Sequence, residues 1–138
     1  MSVPFIVRVE TGYLDRDQYQ IATLFQPGKE WTPVAPQRQF NHKLLVTHGF
    51  ACGADHQTST APPILAGAAA TALARGFATM SHALDHAGHN CNLLTEAESL
   101  VMAKEHLIES YGTLRFTIGT GCSGGSLVQQ QVANAYPG

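Results

Sequence analysis

A chain of 138 residues suits one domain and can bury a real core. Hydrophobic residues make up 44% and charged residues 13%, a globular balance on the lightly charged side. The net charge of -2 gives no argument for nucleic acid or an anionic membrane surface, and no apolar run is long enough to cross a bilayer. The opening Met1-Ser2-Val3-Pro4-Phe5 does not read as a signal peptide, so the protein is cytosolic or the sequence begins after a removed leader.

In chain order, Val3 to Glu10 reads as a strand with partial alternation, Thr11 to Asp17 as turn residues, and Tyr19 to Phe25 as a second strand. Two strands on a short polar link make an antiparallel hairpin. Pro27 to Phe40, with three prolines, is an extended connection. Lys43 to Thr47 is a nearly continuous apolar run, as in a strand covered on both faces, and His48-Gly49-Phe50-Ala51-Cys52-Gly53 is the turn that ends it. Pro62-Pro63 predicts the opening of a helix over Ile64 to Arg75, closed by Gly76. Phe77 to Met80 is a strand and Asp85 to Asn92 a loop. Thr95-Glu96-Ala97-Glu98 has the pattern of a capping box, and Leu100, Val101, Leu107, Ile108 and Tyr111 recur at helical spacing, so a helix is expected over 96–111, ended by Gly112. Arg115 to Ile118 is a last strand, and Leu127 to Tyr136 a last helix.

Between those two lies Gly121-Cys122-Ser123-Gly124-Gly125. A G-x-S-x-G pattern between strand and helix describes a sharp turn that presents a serine at a helix N-terminus. The glycines keep Cβ atoms away from the neighbouring backbone. Hairpin, then strands alternating with helices, implies an α/β fold: antiparallel first strands, then a parallel sheet with crossover helices on its faces. That order, with the serine turn after the fifth strand, matches the N-terminal part of an α/β-hydrolase fold.

From Trp31 onward the chain resembles tannase- and feruloyl-esterase-like α/β-hydrolases and related exported bacterial proteins of uncertain activity. The similar pieces are Trp31-Thr32-Pro33, Asn41-His42-Lys43-Leu44-Leu45, Asn90-Cys91-Asn92, Lys104-Glu105-His106, Ile118-Gly119 through Ser126, and Ala135-Tyr136-Pro137-Gly138. The resemblance implies a serine carboxylic-ester hydrolase without a cofactor, in which Ser123 attacks a small-molecule ester and forms an acyl-enzyme. Gly124 would supply one oxyanion-hole N–H, and Phe50, with Gly49 allowing close approach, the other.

The three cysteines are an odd number, so at least one lacks a partner within the chain. In tannase-like enzymes a cysteine directly before the nucleophile is disulfide-bonded to one beside the catalytic histidine, so Cys122 would pair with Cys52, Cys91 or a cysteine outside this chain. The turns after the third and fourth strands emerge at one end of the sheet, which favours Cys52–Cys91 and leaves Cys122 for an outside partner. Such pairing implies a periplasmic or secreted protein, and three free thiols a cytoplasmic one.

The histidines carry a competing reading. His82, His86 and His89 lie close in sequence with Asp85, and His48, His56, Cys52 and Cys91 belong to neighbouring turns. Such groups can bind zinc, but His-x3-His spacing needs a helix to present one face, and this stretch is a strand end and a loop. No metal site is therefore expected in this stretch. By the resemblance the loop sits at the active-site rim, where His48, His86 and His89 would contact substrate. Asp85 as a triad acid is a further option, although the fold draws that acid from a later strand.

The triad order in this fold is Ser, then Asp or Glu, then His, and neither partner follows Ser123 in the sequence. His106 precedes it on a helix expected to face elsewhere. Residues 1–138 are therefore expected to be the N-terminal part of one hydrolase domain, completed by a C-terminal segment or second chain and inactive or barely active alone. Two other functions stand beside the esterase: a non-catalytic binding or assembly module on the same fold, and a metal-dependent hydrolase using the loop from His82 to His89.

Overall fold

Strands β1 (Val7–Leu14) and β2 (Asp17–Leu24) form an antiparallel hairpin in register from Val7↔Leu24 to Leu14↔Asp17. The computed structural model describes residues 4–55, 57–86 and 88–137. The hairpin turn is only Asp15-Arg16, both at positive φ (47° and 72°), the backbone of a two-residue primed turn that matches strand twist. Thr11, Gly12 and Tyr13, expected in the link, belong to β1. Gly12 lies under the Tyr19 ring, where a Cβ would sit 2.7 Å from it.

Strands β3 (Lys43–Thr47), β4 (Ala78–His82) and β5 (Phe116–Thr120) complete a five-stranded mixed sheet in the order β1-β2-β4-β3-β5. β2 pairs antiparallel with β4, and β3 pairs parallel with β4 and β5. Every residue of β4 is buried. β5 lies at the sheet margin, with Phe116 and Ile118 exposed.

Helix α1 (Ala68–Ala74) covers one face of the sheet: Leu73 packs with Ile64 and Ala22, and Ala69 and Ala72 pack with Leu45. The helix expected from Ile64 starts only at Ala68. Thr79 Oγ1 donates to the Ile64 carbonyl and Ser81 Oγ to that of Pro62, which ties this segment to β4 before the helix can begin. Gly76 sits at φ +85° just beyond the helix end, where a left-handed residue was expected.

Helices α2 (Leu93–Tyr111) and α3 (Gly124–Ala135) lie on the opposite face. Ala103, Leu107 and Tyr111 of α2 pack with Ile21, Leu44, Val46 and Met80. Each large side chain buried this way contributes roughly 1.5–3 kcal/mol. Ala97 joins Val128 and Val132 between the two helices. α2 begins three residues before the expected start: Asn92, not Thr95, is the cap, its side chain accepting from the N–H groups of Leu94 and Thr95. The expected capping box therefore does not form. The far end of α2 is anchored through Glu10, which accepts from the hydroxyls of Tyr19 (2.7 Å) and Tyr111 (2.6 Å) and pairs with His106. Burial raises the Glu10 pKa, but those hydrogen bonds outweigh it and hold the carboxyl below its ordinary range.

Candidate active site

The turns leaving β3, β4 and β5 meet at one end of the sheet. Ser123 caps α3 with φ 54° and ψ −113°, a conformation costly for a residue with a Cβ, and it is exposed. The glycines around it are fixed by contact. A Cβ on Gly124 would overlap the carbonyl of Ala51, and one on Gly125 the carbonyl of Gly49. One on Gly121 would lie 2.6 Å from the Gly125 backbone. The first turn of α3 thus rests directly on the segment after β3.

That segment is held from several sides. The His48 N–H donates to the Thr120 carbonyl (2.9 Å), and the Cys122 N–H donates to that of Gly49 (3.0 Å). Gly49 has φ +71°, and Ala51, two residues on, has φ +65°. Among the described residues, neither the Phe50 N–H nor the Gly124 N–H has a backbone acceptor. The Phe50 side chain is exposed, with its ring 5.6 Å from that of His86.

Cys52 and Cys91 form a disulfide, which joins the turn after β3 to the loop after β4, as favoured from the sequence. The Asp55 N–H donates to the His89 carbonyl beside it, and Ala54 bridges Asn90. Cys122 is exposed and unpaired.

The histidines expected at a substrate rim take separate positions. His86 meets the Phe50 ring edge-on, and its Nδ1 accepts the Gly88 N–H. Burial, then the nearby His89, lowers its pKa. His89 is buried, 3.1 Å from Asp17 through Nε2. His82 is buried within β4, with Nε2 on the Leu14 carbonyl and Nδ1 accepting the Leu84 N–H. Burial lowers its pKa too. Among the described residues no group of three or more His, Cys, Asp or Glu side chains is placed to hold a metal ion. His56 lies outside the described residues. His106, paired with Glu10 and bonded to Tyr19, belongs to the far end of α2.

His48, Asp85 and Glu96 form a buried polar cluster that sequence reasoning did not assemble, although it named His48 and Asp85 separately. His48 Nδ1 lies 2.9 Å from Asp85 Oδ2, with the two side chains 3% and 0% exposed. The two atoms are close, but the contact does not meet hydrogen-bond geometry. Glu96, on the first turn of α2, is equally buried. Desolvation, then the charge of Asp85, pushes its pKa up to about 7. Burial also raises the Asp85 pKa, opposed by His48. Beside this cluster a cavity of about 640 Å³ opens between α2, α3 and β5, lined by His48, Leu100, Thr117, Gly119, Val132 and Tyr136 among others; Ser123 is not part of its wall.

The chain belongs to the Tannase-like family of unknown function (DUF6351), whose model matches residues 1–138. It matches no curated protein and no solved structure.

Proposed function

We propose that this chain carries the nucleophile of a serine carboxylic-ester hydrolase on the N-terminal part of an α/β-hydrolase fold. The observation that carries the reading is the backbone of Ser123: an exposed serine held at φ 54° by glycines that touch neighbouring carbonyls. Strain of that kind persists where surrounding structure imposes it, and it raises Oγ above the sheet for attack on an ester carbonyl. The sheet order and the tannase-like family support the same fold and chemistry.

In this reading the N–H groups of Gly124 and Phe50 bind the oxyanion of the tetrahedral intermediate, each worth on the order of 3 kcal/mol in the transition state. Gly49, bonded to Cys122, sets their spacing. In this reading His86, beside Phe50, is the rim histidine that would meet substrate; the burial of His48 and His89 supports that choice. The triad acid and base come from further polypeptide, a C-terminal segment or second chain. That polypeptide would also cover β5 and the apolar faces at Val101, Leu127 and Tyr136, and it would supply a cysteine for Cys122. The Cys52–Cys91 disulfide supports a periplasmic or secreted setting, and no helix among the described residues is long and apolar enough to cross a membrane.

A fluorophosphonate probe on the native protein tests the reading. An adduct mapped to Ser123 is expected, lost in S123A. An intact protein with no adduct on Ser123 would favour the non-catalytic binding module. Ester hydrolysis abolished by a chelator and restored by added metal, with no adduct on Ser123, would favour the metal-dependent hydrolase.

A further inference from the structure

We infer that Asp85 is a positioning residue that, through His48, fixes the turn Gly49-Phe50 against Ser123. The inference rests on the esterase reading above for what the turn does, and on geometry for what Asp85 does.

His48 is the last buried residue before the turn, and both its backbone and its side chain are held. Its N–H bonds to Thr120, while its ring faces Asp85 at 2.9 Å with almost no exposure. The next residue along the loop works on the same target. A Cβ on Gly49 would lie 2.6 Å from His86 Nδ1, so the His86 ring packs directly against the Gly49 backbone, and it also meets the Phe50 ring edge-on. Consecutive residues Asp85 and His86 therefore grip consecutive residues His48, Gly49 and Phe50.

The chemistry of the pair points to orientation rather than cohesion. A buried carboxylate is expensive, and apolar residues of similar volume hold a core at least as well as a buried ion pair. What a carboxylate adds is direction: it favours the ring edge that carries Nδ1 on its own side and so selects one orientation of the imidazole. Nε2 faces β5, since a Cβ on Gly119 would lie 3.0 Å from it. The ring thus has one orientation between β5 and Asp85, and the backbone that follows it starts from a fixed point. One oxyanion donor of the esterase reading, the Phe50 N–H, belongs to that backbone, and small displacements of such a donor cost rate steeply.

The test uses the full native protein with its disulfide intact, comparing wild type with Asp85→Asn, Asp85→Leu and His48→Phe. Two quantities are read: the second-order rate of fluorophosphonate labelling at Ser123, and amide exchange at Cys122, whose N–H is bonded to Gly49. In Asp85→Leu, labelling is expected to slow by about tenfold or more. Cys122 exchange should accelerate by a similar factor while exchange at Leu45, in the parallel ladder of β3, stays unchanged. Asp85→Asn, which keeps a polar group of the same shape facing His48 Nδ1, should recover part of both. Wild-type labelling and Cys122 exchange in a folded Asp85→Leu protein would overturn the inference, as would the same result in His48→Phe should Asp85→Leu not fold. An unlabelled wild type with accelerated Cys122 exchange in Asp85→Leu would overturn the esterase reading and leave the positioning role standing.

Discussion

The N–H of Cys122 donates to the carbonyl of Gly49 at 3.0 Å, joining the residue before the candidate nucleophile to the turn that follows β3. Chain segments far apart in sequence are thereby held at a fixed separation on either side of Ser123. The arrangement fixes a conformation that Ser123 would not choose for itself.

Replacing Ser123 by glycine should therefore stabilise the fold. The φ of 54° costs a Cβ-bearing residue about 1 kcal/mol or more, and glycine escapes most of that cost. Urea unfolding of Ser123→Gly is expected to show a higher midpoint than wild type, together with complete loss of fluorophosphonate labelling. An unchanged or lower midpoint would show that the strain is not stored at this residue.

Alanine at Gly124 or Gly125 should be severely destabilising, by about 3 kcal/mol or more, because the new methyl meets a carbonyl oxygen rather than a yielding side chain. Gly28 provides the contrast. It has φ +78° but nothing within 4 Å of a Cβ, so Gly28→Ala should cost only about 1 kcal/mol. Thermal unfolding of the three variants measures the difference.

Glu96 makes stability depend on pH in a stated direction. Its folded pKa, about 7, lies above its ordinary value of 4.5, so the folded state favours the neutral acid. The associated stability is complete below pH 4.5 and is lost as pH rises through 7, by up to about 3 kcal/mol. Wild-type unfolding free energy should fall between about pH 4.5 and 7 and level off above that. Glu96→Gln should flatten that fall, and an identical slope in the variant would exclude Glu96 as its source.

Much of the fold was legible in the sequence because local and long-range preferences agree there. Apolar runs marked the three inner strands, and Gly76 and Gly112 marked helix ends. The start of α1 was not legible, because the carbonyls of Pro62 and Ile64 are captured by hydroxyls on β4, a contact no local pattern encodes. Asn92 and Thr95 are both good caps, and nothing local in the sequence shows that Asn92 is the one whose side chain accepts the first helical N–H groups. The glycine-flanked serine was visible at once. The cluster of His48, Asp85 and Glu96 was not, since isolated charged residues in turns and first helical turns usually face water.

Removing the Cys52–Cys91 disulfide should cost at most about 4 kcal/mol, the loop-closure value for a sequence separation of 39. A Cys52→Ala/Cys91→Ala protein is expected to unfold at lower temperature than the oxidised wild type. Its loss should fall first on the segment from Ala51 to Asp55, which amide exchange at Asp55 reports. A thermal midpoint equal to wild type would show that the Ala54–Asn90 bridge and the Asp17–His89 pair suffice.

The glycine contacts around Ser123 bear on how relatives of this chain should be read. Gly121, Gly124 and Gly125 are demanded by backbone touching backbone, whatever residue occupies position 123. A descendant that exchanged the serine for alanine and abandoned hydrolysis would still have to keep all three glycines to seat α3 on the turn. Inheritance of the glycines therefore reports architecture alone, and the hydroxyl at position 123 is the separate mark by which an active lineage would be told from a retired one.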